Sequence, residues 1–162
     1  FRRVLFRSPW GAIFCHHDAH VMDDECGAPE FFSAGAKMIA LDGATGRISP
    51  ASFEDALRAY PRGVVKQVQP ACLTVTQATE SGTLYTLAEI RELAGMAHSA
   101  GVSVHMDGAR FANALVTIGC TPAEMTWKAG VDVLSFGASK NGTICCEAVI
   151  DRKSTRLNSS HT

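Results

Sequence analysis

The sequence predicts an α/β protein with a mostly parallel sheet flanked by helices. Three observations carry that prediction. Short apolar runs of strand length recur along the chain. Helical patterns of about ten to fifteen residues separate them. Turn and cap residues mark most of the changes of period. The chain has 162 residues, which suits one domain of ordinary size.

The elements follow in order. Residues 11–15 form a short apolar run read as a strand, and 37–41 a second, followed by the turn signal Asp42-Gly43. Ser49 is placed as the N-cap of a helix with Pro50 at its first position, where the missing N–H costs nothing. That helix runs through Phe53, Ala56 and Leu57 to about Tyr60, and Pro61 ends it. Residues 68–76 are strand-like, with Val68, Leu73 and Val75 as core candidates. Thr86 caps an amphipathic helix in which Leu87, Ile90, Leu93, Ala94 and Ala97 recur at helical spacing, closed by Gly101. A strand over 102–106 ends at Asp107-Gly108, and a helix follows from about Arg110 to Gly119. Thr121-Pro122 opens a short helix ending near Gly130. A strand over 131–136 leads into the polar, glycine-flanked turn 137–142, and a last strand begins near Cys146.

The two ends are unlike the middle. Residues 1–8 and 151–162 carry six of the 15 basic side chains, leaving 9 basic and 15 acidic in 9–150, a net of −6. FRRVLFRS (1–8) is encoded by TTCAGACGTGTGCTCTTCCGATCT. The reverse complement of that string, read from its second base, gives DRKSTRL and the first two bases of an Asn codon, matching 151–158. Both tails are therefore expected to be scars of a sequencing-library adapter read in two orientations, and they are set aside from fold reasoning. Residues 9–150 are expected to be a slice of a larger domain.

Composition narrows the function. The chain is 46% apolar and 19% charged, with net charge −1, enough for a packed core and too apolar for a disordered chain. It shows no basic stripe for nucleic acid and no apolar run of about 18 residues for a membrane span. Six cysteines without metal-type spacing, and no secretory signal, predict reduced thiols in a cytoplasm. Most of them are expected to be small buried side chains.

Ligands of such sheets sit beyond the carboxyl ends of the strands. Two polar clusters fall there, His105-Met106-Asp107-Gly108-Ala109-Arg110 and the stretch 135–142 (SFGASKNG). They bring an Asp, an Arg and a Lys to one rim. A third group, Cys15-His16-His17-Asp18-Ala19-His20, follows the first strand.

The segments 105–115 (HMDGARFANAL) and 135–142 (SFGASKNG) resemble the low-specificity L-threonine aldolases. The similarity continues through PWGAIFCHHDAH, DECGAPEFF, TQATESGTLYTL and GCTPAEMTWKAGVDVLSFGASKNG, so it covers nearly all of 9–150. The resemblance implies part of the large domain of a pyridoxal 5'-phosphate-dependent transferase fold. It implies retro-aldol cleavage of L-threonine, L-allo-threonine and related β-hydroxy-α-amino acids to glycine and an aldehyde. By the same resemblance, Lys140 holds the cofactor as a Schiff base. Asp107 partners the ring nitrogen and keeps it protonated. His20 stacks on the ring, and Arg110 meets the substrate carboxylate and the cofactor's phenolic side. Where many members carry a histidine in T-H-N-G, this sequence has Glu80 in T-E-S-G. The general base is thus open among Glu80, His20, His16 and a water, with Gln77 as a further neighbour.

The resemblance also implies a homodimer or homotetramer, with a phosphate-binding turn upstream of Pro9 and a second carboxylate-binding arginine downstream. The segment alone is accordingly expected to be poorly folded and inactive. Three rivals stand beside this reading: a β-eliminating pyridoxal lyase, a metallohydrolase using His105 and Asp107 with His16, His17 and His20, and a non-catalytic binding module. The preferred reading takes no metal.

Overall fold

A computed structural model of the chain describes residues 8–151 and, for the backbone, 155–158. Most of the two tails set aside above lies outside the described residues. Strand β1 (Gly11–His16) leads to two short helices, α1 (His20–Asp23) and α2 (Ala28–Phe32). Strand β2 (Lys37–Leu41), helix α3 (Pro50–Ala59), strand β3 (Gln69–Thr76) and helix α4 (Leu87–Ser99) follow. Then come β4 (Ser103–Gly108), α5 (Phe111–Ile118), α6 (Pro122–Met125), β5 (Val133–Gly137), β6 (Glu147–Asp151) and β7 (Thr155–Asn158).

The strands form one sheet in the order β2-β1-β3-β4-β5-β6-β7. Strands β1 to β5 pair in parallel, as predicted, while β6 and β7 join antiparallel. The sheet is thus mostly parallel, as expected. No helix intervenes between β5 and β6, only a short 3-10 turn at Ser139–Asn141, so the chain returns as a hairpin.

Side chains alternate between the two sheet faces. On one face Phe14, Leu41, Leu73, Val75, Val104, Met106 and Leu134 form the main core. Phe53 of α3, Ile90, Leu93 and Ala97 of α4, Phe111 of α5 and Met125 of α6 cover them. The opposite face carries a smaller apolar cluster of Ile13, Ala36 and Cys72. Farther along its strands that face turns polar, with Thr74 and Thr76 on β3, His105 and Asp107 on β4, and Ser135 on β5.

Local chemistry explains most element ends. Thr86 accepts the Glu89 backbone N–H while the Glu89 carboxylate accepts the N–H of Thr86, a reciprocal cap for α4. Thr121 and Glu124 repeat the arrangement at α6. Ser49 stands at the N-cap of α3, but its side chain makes no capping hydrogen bond, so only its position is as expected. Helices α1 and α2 escaped the sequence reading because four or five residues are too few to show a period. The expectation that most cysteines are buried is also corrected. Cys15 and Cys72 are buried, Cys120 is half-buried, and Cys26, Cys145 and Cys146 are exposed. No helix among the described residues is long and apolar enough to cross a membrane.

Candidate active site

Asp107 ends its strand beside the Lys140 turn. The register sets Thr76 of β3, Asp107 of β4 and Ser135 of β5 in one row across the sheet. The Asp107 carboxylate accepts the Ala109 N–H at 2.9 Å, an Asx turn that folds the backbone back at the strand end. Arg110, not Asp107, occupies the N-cap of α5. Gly108 is required by close approach: a Cβ there would lie 2.7 Å from Leu134 and 2.8 Å from the Ser135 carbonyl. The glycine thus lets the Asp107 strand end press against β5.

Lys140 sits in the 3-10 turn Ser139–Asn141 directly after β5. The N–H groups of Asn141 and Thr143 both donate to the Ala138 carbonyl, and the Ala138 N–H donates to the Cys146 carbonyl just before β6. The Lys140 side chain is exposed. Neither Lys140 nor Arg110 nor Asp107 takes part in an ion pair among the described residues. A carboxylate, an amine and a guanidinium thus share one rim without neutralising one another.

Asn141, which the sequence reading passed over, links the two halves of this rim. Its side-chain oxygen accepts the Ala112 N–H at 2.9 Å. Its amide nitrogen donates to the Ala109 carbonyl at 3.1 Å and to the Gly137 carbonyl. The sequence offered one signal: an asparagine beside a glycine in a turn, whose amide can satisfy turn backbone.

The third group lies at the end of β1. The His20 N–H, at the start of α1, donates to Glu80 Oε1 at 3.0 Å, so the structure joins these two candidates across 60 residues. The His20 ring is held by Asp24 at 3.2 Å and Glu25 at 3.0 Å. Both of its nitrogens therefore face carboxylates. His16 is buried and has both nitrogens committed: Nδ1 accepts the Asp18 N–H at 3.1 Å, and Nε2 lies 3.2 Å from the Gly43 carbonyl. It is not free to act as a base. Gln77 is fully buried, with its amide bonded to both backbone groups of Tyr85. It meets Asp107 only through its backbone N–H, which donates to the Asp107 carbonyl at 2.9 Å.

This arrangement removes the basis of the metallohydrolase alternative. Among the described residues, the one group of three metal-type donors is His16, His17 and Asp18. It lies at and just past the end of β1, which β3 separates from β4 with His105 and Asp107. His105 instead faces Ser135, with Nε2 2.8 Å from Oγ. Burial pushes its imidazole down to about 4, against the opposing pull of the Asp107 charge.

A cavity of about 390 Å³ lies at the other end of β5, lined by Trp127, Val131, Val133, Leu134 and Ile150. Its Asp132 carboxylate is already engaged by His98 and the Val104 N–H. It contains none of the candidate site residues.

The rim suits pyridoxal phosphate by its donor set. The exposed Lys140 amine can condense with an aldehyde. The Asp107 carboxylate, held from one side by Ala109, can face a protonated ring nitrogen. Arg110 can pair with a carboxylate or phenolate. Residues 2–157 match the beta-eliminating lyase family. The chain is 45% identical over 139 residues to a low specificity L-threonine aldolase of a Pseudomonas species, covering 86% of this chain. It is 46% identical over the same length to the enzyme of that name from Pseudomonas aeruginosa. It spans 40% of the length of each. Among solved structures, a threonine aldolase from Leishmania major superposes with a TM-score of 0.78 at 28% identity, covering 91% of this chain and 42% of that one. On the match along nearly its whole length, this chain belongs to the beta-eliminating lyase family.

Proposed function

We propose that the chain carries the lysine-bearing part of a pyridoxal-phosphate-dependent aldehyde-lyase, which cleaves L-threonine, L-allo-threonine and related β-hydroxy-α-amino acids to glycine and an aldehyde. One observation supports this reading above the rest. Asp107 and Lys140, neither of them ion-paired among the described residues, occupy the C-terminal ends of two adjacent parallel strands, where α/β sheets bind ligands. The cofactor, when bound, supplies an electron sink for the pair released at the substrate Cα.

The chain's own residues divide the remaining work. Lys140 would hold the cofactor through its amine. Asp107 keeps a proton on the ring nitrogen, which favours charge entering the ring. Arg110 binds the substrate carboxylate through its planar fork. His20 would lie against the ring face. Glu80 takes the proton of the substrate β-hydroxyl as the Cα–Cβ bond breaks. Its Oε1 accepts the His20 N–H, and it remains an acceptor, whereas both His20 nitrogens already face carboxylates. The active assembly is a homodimer or homotetramer acting in the cytoplasm. The phosphate anchor and the second carboxylate anchor come from segments outside 9–150.

The test is a chimera in which residues 9–150 replace the matching segment of the Pseudomonas aeruginosa relative. Glycine and acetaldehyde are expected from L-threonine, and Lys140→Ala abolishes both. Glu80→Gln keeps the acceptor for His20 and loses the base, so kcat falls by roughly 10²–10⁴-fold. An active Lys140→Ala chimera contradicts the assignment. The family's own name favours a second reading, β-elimination on the same Lys140 and Asp107. Pyruvate and ammonia from L-serine, without glycine from L-threonine, would select it.

A further inference from the structure

We infer that Asn141 is a positioning residue: its side-chain amide sets where the Lys140 amine stands relative to Asp107. The inference rests on the reading of Lys140 proposed above and concerns a residue that plays no part in the chemistry itself.

The geometry is that of a three-point clamp. The donor pair reaches the Ala109 carbonyl, two residues past Asp107, and the Gly137 carbonyl, where β5 ends. The oxygen receives the N–H of Ala112 in the first turn of α5. The three contacts define the amide orientation, because the reverse would set the oxygen against two carbonyls and the nitrogen against an N–H. Lys140 lies between one tied point, Gly137, and Asn141 itself. Its turn has few other restraints: it is a single 3-10 turn, exposed on its outer side, followed by Gly142 at φ +92°. Without the amide, the Asp107 turn and the Lys140 turn lose their one shared side-chain link among the described residues.

Position matters here more than stability. A lysine on a loose turn condenses with an aldehyde at the rate of any surface amine. A lysine held toward a docked ring gains from proximity, and a displacement of about an ångström can cost on the order of 10²-fold. The clamp also starts α5, since Ala112 N–H is one of the donors that a helix start leaves unpaired. Arg110 and Lys140 are thereby oriented by one side chain.

The experiment follows covalent trapping on the chimera described above, which supplies the segments outside 9–150. An amine condenses with the aldehyde of pyridoxal phosphate, releasing water, and borohydride delivers hydride to the C=N bond to leave a stable pyridoxyl group. Residues 9–150 carry four lysines, Lys37, Lys66, Lys128 and Lys140, so peptide mapping gives a rate for each. In the unaltered chimera Lys140 is expected to dominate. In Asn141→Ala its rate falls roughly tenfold or more, while Lys37, Lys66 and Lys128 keep theirs. A merely structural role would instead lower the melting temperature and shift all the lysines together. Asn141→Asp keeps the acceptor for Ala112 and loses both donors; it shows the same selective loss and carries the test if the alanine variant does not fold. Wild-type Lys140 rates in a folded variant overturn the clamp and leave the function standing. No preference for Lys140 in the unaltered chimera overturns both.

Discussion

His105 sits one row further into the sheet than Asp107, buried and facing Ser135. Loss of water around its charged form pushes its pKa down to about 4 from an ordinary 6.5, and the Asp107 charge opposes that only in part. The unfolded chain therefore binds a proton before the folded one does as pH falls. The stability His105 contributes is complete above about pH 6.5 and is lost on the way down to about 4. Denaturant midpoints should fall across that window, and His105→Gln should flatten the fall. Equal slopes for both proteins would remove His105 from the acid response. That Asp107 and Lys140 stand at and just past the carboxyl ends of two strands was legible in the sequence, because an apolar run leads into each. What the motif could not convey was commitment. His16 looked available until its two nitrogens were found bonded to Asp18 and Gly43. Asn141 looked like an ordinary turn residue because its partners lie about 30 residues away, at Ala109 and Ala112.

At the level of elements, caps and periods carried the reading. Helix α4 was legible from Thr86 to Gly101 because its apolar stripe spans several turns and its cap is reciprocal. Thr86→Ala should destabilise the protein by about 1 kcal/mol, the usual cost of a lost N-cap. The Glu89 carboxyl is held below its ordinary pKa, chiefly by the Thr86 N–H, so some of that cap weakens in acid. A melt unchanged by Thr86→Ala above pH 6 would show that packing of Ile90, Leu93 and Ala97 alone sets the helix. The shorter elements were not legible. The start of α1 has Ala19 at its cap, with no side-chain hydrogen bond, and draws its partner Glu80 from beyond β3. A contact of that separation leaves no local trace. The antiparallel turn of the chain at β6 was likewise hidden, since strand direction depends on the connection and not on the strand's own residues.

Across the whole molecule, the two sheet faces serve different ends. One is an apolar core under four helices, and the other becomes polar toward the rim that carries Asp107. The thiols report on this division. Burial pushes Cys15 and Cys72 up to about 12, whereas Cys26, Cys145 and Cys146 are exposed. A thiol reagent at pH 8 should therefore modify those three quickly in the native protein, and Cys15 and Cys72 only on unfolding. Rapid labelling of all six would mean that the β1–β3 pairing is not closed in solution. The central claim is that Asp107 and Lys140 serve one ring. Its most direct test is ¹⁵N NMR of ring-labelled pyridoxal phosphate reduced onto the chain. The account predicts the label on Lys140, with a protonated ring nitrogen that loses its proton in Asp107→Asn. A label on Lys140 whose nitrogen is indifferent to Asp107, or a label spread over the other lysines, would contradict it.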